Sequence, residues 1–138
     1  MRKKSVKKPL SGRPPGELEL SILKALWKAE ELTGKEVWQE VKKERRVALT
    51  TVLTVLERLV NKGLIEKRKA EGLFIYRALI SADEFTRGVS ERLIRDYMDV
   101  AGTSLVAGFV DALESADPEF IERLYSFIEK KKKERKKR

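Results

Sequence analysis

Between Ala48 and Lys62 the apolar and polar residues separate onto opposite sides of a helix. At 100° per residue, Leu49, Val52, Leu53, Val55, Leu56, Leu59 and Val60 share one arc, while Thr50, Thr51, Thr54, Glu57, Arg58, Asn61 and Lys62 share the other. One face can be buried, and the other presents hydroxyls, an amide and cations. Gly63 stands where a helix ends on a left-handed residue. Two extended runs follow, 64–70 and 73–80, joined by Glu71-Gly72 and read as a hairpin.

Two helices are expected before this unit. One spans about 17–29, with Glu17 and Glu19 at its positive N-terminal end and Leu18, Ile22, Leu23, Ala25, Leu26 and Trp27 on its buried side. Trp27 reads as core. Leu32 lies in a short connection and is expected to pair as one extended residue. Thr33 and Glu36 form a capping box that opens a second helix at about 34–43, with Val37, Trp38 and Val41 as its apolar positions. Helix, helix, helix, hairpin is the order of a winged helix-turn-helix.

After the hairpin the period stays helical. Ser81 and Glu84 make a second capping box for a helix at about 82–100, with Gly102 as its break. A further helix carries Leu105, Phe109 and Leu113, and Asp117-Pro118 starts the last one, with Phe120 and Leu124 inward. These helices are amphipathic and too short to build a core of their own. Phe85, Val89, Leu93, Tyr97, Leu105, Phe109, Leu113, Phe120 and Leu124 are therefore expected to meet a second copy of the chain. The alternative is that they fold back onto the N-terminal part. The fold class expected is mainly α with a small β-hairpin wing: a basic disordered tail at 1–13, a winged-helix domain at 14–80, a helical dimerisation domain at 81–129 and a second disordered basic tail at 130–138.

Charge changes the picture by where it sits. Residues 1–15 carry six bases and no acid, and residues 129–138 carry eight bases and two acids. Residues 35–77 hold eleven bases against six acids, whereas 81–128 hold four against ten. A basic helix–hairpin unit followed by an acidic helical segment fits a polyanion-binding half and a half with another task. For the tails alone, solubility is an equal explanation. The chain has no cysteine and no histidine, which removes disulfides, Cys/His metal sites and His-based triads. No cofactor and no enzymatic activity are expected, nor a membrane span, and a cytoplasmic location follows.

The helix at 48–62 is the candidate for the DNA major groove. Thr50, Thr51 and Thr54 are short enough to approach base edges or phosphates, with N-terminal capping as the structural alternative for Thr50 and Thr51. Arg58, on the same face, reaches a phosphate or a guanine unless an acid holds it. Lys62 extends that face. Lys67, Arg68 and Lys69 sit just before the hairpin tip, where a wing meets the DNA backbone with little sequence preference and strong salt dependence.

The stretches GELELSILKALW, TGKEVWQEV, TTVLTVLERLVNKGLIEKRKAEGLFIYRALIS and the DEF that follows resemble the bacterial penicillinase-repressor family (BlaI/MecI/CopY). The resemblance covers roughly Gly16 to the last helix and is strongest over 50–80. It implies a dimeric winged-helix repressor on palindromic operators, with the C-terminal helices forming the dimer and Thr50, Thr51, Thr54 and Arg58 at recognition-helix positions. Double-stranded operator DNA and a second copy are the implied partners, with a protease or signalling partner of unknown kind besides. Copper-responsive members carry a C-terminal cysteine cluster that this chain lacks. Members that respond to β-lactams are cut at an Asn-Phe bond near the end of the long helix, and the comparable Tyr97–Gly102 segment has none. Two rival readings stay open: a non-specific architectural nucleic-acid binder, and a winged-helix module for protein partners.

Overall fold

The computed structural model describes residues 16–137; the expected tail at 1–13 lies outside the described residues. The chain forms two compact units, through Arg92 and from Leu93 onward. In the first unit the order is α1 (Glu17–Ala29), β1 (Glu31–Thr33), α2 (Gly34–Val41), α3 (Leu49–Asn61), β2 (Ile65–Ala70) and β3 (Leu73–Ala78), with the start of α4 (Ala82–Ala116) completing it.

Each boundary has a local cause. The Thr33 hydroxyl accepts from the Glu36 N–H at 3.2 Å and the Glu36 carboxylate accepts from the Thr33 N–H at 2.9 Å, the reciprocal box that starts α2. Helix α3 ends in a Schellman arrangement. Gly63 takes φ 79°, its N–H donates to the Val60 carbonyl at 3.0 Å, and the Leu64 N–H donates to the Leu59 carbonyl at 3.1 Å. Ser81 and Glu84 repeat the capping box at α4, with the Glu84 N–H donating to the Ser81 hydroxyl at 3.0 Å. Both central residues of the β2–β3 turn are left-handed, Glu71 at φ 52° and Gly72 at φ 81°, as a type I′ hairpin requires.

The wing is broader than a hairpin. Strand β1 pairs antiparallel with β3, Leu32 opposite Tyr76, and the sheet order is β1-β3-β2. One sheet face carries Leu32, Ile65 and Tyr76 into the core. The other carries Glu31, Glu66, Ile75 and Arg77. The core joins Ile22, Leu23 and Leu26 of α1, Val37 and Val41 of α2, Val52, Val55, Leu56 and Leu59 of α3, and Leu64, Ile65, Tyr76, Ile80 and Phe85. Leu53, assigned by periodicity to the buried arc, is 37% exposed. Its Cδ2 lies against Gly34, where a Cβ would come within 2.6 Å, so it covers the α2–α3 contact from outside.

Trp27 is half-buried rather than fully internal. Its indole N–H donates to the Ile80 carbonyl at 2.9 Å, and its ring lies 5.6 Å from that of Phe85. This corrects two interface expectations. Phe85 is 3% exposed in the core of the first unit, and Val89 packs against that core. The first turns of α4 thus belong to the winged-helix unit, whose compact body runs to Arg92 instead of ending at 80.

In the second unit, the remainder of α4 is interrupted at Ala101, whose φ −161° and ψ 72° are non-helical, one residue before the expected break at Gly102. The Asp117 carboxylate accepts from the Glu119 N–H at 3.1 Å as α5 (Glu119–Lys136) begins. Helix α5 continues to Lys136, which corrects the disordered tail expected from 130. Lysine and arginine are good helix formers, and bases in a last turn suit the negative end of the helix dipole.

Glu71 is a residue with a Cβ in a left-handed position. Glu71→Asn should raise stability by about 0.5 kcal/mol, read as a higher thermal midpoint. A lower midpoint would contradict the type I′ assignment.

Candidate nucleic-acid interface

With Val52, Val55, Leu56 and Leu59 turned into the core, α3 presents Thr50, Thr54, Glu57 and Asn61 outward at spacings of four, three and four. These residues form one stripe along the middle of the exposed face, with Thr51 and Arg58 beside it. Ala48 is the N-cap of α3 and no side chain caps it, so Thr50 and Thr51 are not spent on capping. The Thr54 hydroxyl donates to the Thr50 carbonyl at 3.0 Å, which leaves its lone pairs as acceptors facing out.

The cations on this unit are mostly engaged with acids. Glu19 of α1 is 6% exposed. One carboxylate oxygen accepts from the Gly16 N–H at 2.8 Å; the other lies 3.2 Å from Lys62 Nζ and 4.0 Å from Arg58. Lys62 and Arg58 are thus tied back to α1 at the C-terminal end of α3. Lys62 is half-buried and takes part mainly in this tie. Arg58 keeps an exposed side chain and only a long contact, which leaves its guanidinium able to turn toward a phosphate.

The three consecutive bases of the wing do not act together. Cross-strand register pairs Lys67 with Tyr76, Arg68 with Ile75 and Lys69 with Phe74. A strand alternates its side chains, so Lys67 and Lys69 share the face nearer α3 and Arg68 points to the opposite face. There one guanidinium nitrogen of Arg68 donates to both carboxylate oxygens of Glu31, at 3.0 and 3.1 Å, beside the Arg77–Glu66 pair at 2.6 Å. Glu66 pushes the Arg77 guanidinium further above its ordinary value by hydrogen bonding. The expected Lys67-Arg68-Lys69 cluster is corrected to Lys67 and Lys69, with Arg68 on the far side of the sheet.

Two residues not singled out by sequence complete the interface. Lys67 Nζ lies 2.7 Å from Glu57 Oε2 and 4.3 Å above the Phe74 ring, and Lys69 Nζ lies 5.6 Å from the same ring. The hydrogen bond to Glu57 raises the Lys67 ammonium above the ordinary lysine value. The Lys67 ammonium therefore keeps its charge until the pH has risen past the ordinary lysine range. Phe74 could have been noted as an aromatic near the hairpin tip; the Glu57 pairing, ten residues away in sequence, has no local signature.

The penicillinase repressor family model matches residues 15–130. The chain belongs to this family. It is 26% identical over 120 residues to a penicillinase repressor of Bacillus licheniformis, covering 87% of this chain and 93% of that protein. It is 25% identical over 113 residues to the methicillin resistance regulatory protein MecI of Mammaliicoccus sciuri, covering 82% and 91%. Among solved structures, the DNA binding domain of the repressor BlaI matches at 28% identity and a TM-score of 0.47, covering 54% of this chain and 93% of that one. Family membership rests on the sequence match.

Glu19 is the buried acid that holds the end of α3 to α1. Glu19→Ala should lower stability by about 2 kcal/mol, since it removes a cap and leaves Lys62 unpaired in a half-buried site. Denaturant unfolding measures this, and an unchanged midpoint would contradict the anchoring role.

Proposed function

We propose that this chain is a homodimeric transcriptional repressor that binds palindromic operators in double-stranded DNA, with α3 in the major groove and the wing on the backbone. The observation that carries this reading is the outward stripe of α3, held by its buried face beside Lys67, Lys69 and Phe74, in a member of a repressor family. Thr50, Thr51 and Thr54 meet base edges or phosphates, Arg58 a phosphate or guanine, and Lys69 the flanking backbone. Lys62 and Arg68 contribute to the field of the surface rather than as direct contacts.

Dimerisation draws on the second unit. No residue of α5 is buried, nor any of α4 beyond Phe85. Leu93, Tyr97 and Phe120 are exposed, and Leu105, Phe109, Leu113 and Leu124 are only half-covered. A second copy would remove this apolar surface from water, at about 25 cal/mol per Å². The interface set is accordingly Leu93, Tyr97, Leu105, Phe109, Leu113, Phe120 and Leu124, without Phe85 and Val89.

The non-specific alternative draws on one observation. Helix α5 ends in Lys130–Lys133, Arg135 and Lys136, and these bases carry no ion pair among the described residues. In the repressor reading they add salt-sensitive affinity to contacts made elsewhere.

Anisotropy titrations on duplexes carrying candidate palindromes and on random duplex, at several salt concentrations, separate the two. The repressor reading expects about a thousandfold preference for its operator near physiological salt. Deleting 130–138 should lower the salt slope by roughly 0.9 for each phosphate the helix end no longer neutralises, and leave the preference intact. Equal affinity for all duplexes would overturn specific recognition. For the dimer, light scattering should give twice the monomer mass, and Phe109→Asp with Leu113→Asp should give a folded monomer. A monomeric parent would contradict the use of the second unit.

A further inference from the structure

We propose that Glu57 is a base-reading residue that selects a cytosine in each operator half-site, with Lys67 of the wing as the positioning residue that aims it. The proposal rests on the repressor reading above and goes further, to one base and two residues.

Glu57 lies in the central stripe of α3, between Thr54 and Asn61, on the face offered to the groove. Its side chain is 48% exposed. An acid at that place is unfavourable next to phosphates unless it accepts a hydrogen bond from the DNA or is neutralised. Lys67 does neutralise it in the free protein, at 2.7 Å through Oε2. The pairing occupies one carboxylate oxygen; Oε1 has no partner among the described residues. A carboxylate only accepts. In the major groove the donors are the N4 amino group of cytosine and the N6 amino group of adenine, and adenine places the N7 lone pair beside its donor, which repels a carboxylate. Cytosine is the base whose edge Glu57 fits.

Lys67 is suited to aiming instead of reading. Its side chain is 26% exposed, its ammonium rests 4.3 Å over the Phe74 ring, and Tyr76 lies opposite it across the strands. With both ends of the ion pair on rigid elements, the carboxylate is held before DNA arrives, which lowers the ordering needed on binding. The pair also couples wing to helix, so that a shifted wing would misplace the reader.

The test is selection from a randomised duplex DNA pool, with the bound fractions sequenced, for the full-length protein and for Glu57→Gln, Lys67→Met and Lys67→Arg. Glu57 is exposed and Gln is nearly isosteric, and circular dichroism checks that each variant is folded. The proposal expects a C·G pair at one position of each half-site in the parent's selected sequences. Glu57→Gln should relax that position alone, with about a tenfold loss on C·G relative to the other pairs, or turn it toward A·T. Lys67→Met should weaken the preference at the same position, and Lys67→Arg should restore it. If Glu57→Gln selects the same sequence as the parent, or binds every duplex more tightly by one common factor, Glu57 is only a repelling charge and the proposal is overturned while the repressor reading stands. If Lys67→Met lowers affinity equally for all sequences, Lys67 is a phosphate ligand and the aiming role is overturned. If the parent selects no sequence at all, specific recognition itself fails, and this proposal with it.

Discussion

Burial of one face of α3 is the constraint on which the rest of the molecule depends. Val52, Val55, Leu56 and Leu59 are each at most 5% exposed, packed among α1, α2 and the first strand residues after Gly63. Full burial of such side chains stabilises by about 1.5–3 kcal/mol apiece. A turn of the helix by one residue would bring threonines into the core and leucines into water. The outward stripe of Thr50, Thr54, Glu57 and Asn61 is thus fixed by what the opposite face needs. The Schellman end at Gly63 then turns the chain directly into β2, which sets Lys67 next to Glu57. Reader and wing are placed by the same packing that holds the domain together.

The cations divide into two kinds. Those on the winged-helix unit are largely matched to acids, Lys62 and Arg58 to Glu19, Lys67 to Glu57, Arg68 to Glu31 and Arg77 to Glu66. The pairs between exposed side chains add little to stability, since water screens them, and their consequence is orientation on an outer face. The pairing of Lys62 with the buried Glu19 differs in anchoring the end of α3 to α1. The bases at the end of α5 have no such matches among the described residues. In the proposed function they add affinity for polyanions by charge density, while α3 and the wing supply the preference among sequences.

Much of this is legible in the sequence because the signals are local. Thr33 with Glu36, Ser81 with Glu84, and Gly63 each act within one helical turn, and the elements they bound fall within a few residues of expectation. The misses come from contacts distant in sequence or from a period not applied. Phe85 and Val89 read as interface because helical periodicity marks an apolar face without saying what covers it; Trp27, far upstream, does. Arg68 groups with its neighbours only if strand alternation is ignored, so that signal is available in the sequence. Glu57 escapes a sequence reading because an acid on a basic face looks like dilution until its partner is located. The helical end of α5 escapes it because a lysine run has no apolar period, while lysine's own helix propensity needs none.

The most direct test of the central claim is backbone amide chemical-shift mapping of the protein as a specific duplex is added. The account predicts that the largest changes fall on Thr50, Thr51, Thr54 and Glu57 of α3 and on Lys67, Lys69 and Phe74 of the wing, with small changes at Arg68. Changes confined to the basic end of α5, with α3 unmoved, would contradict it.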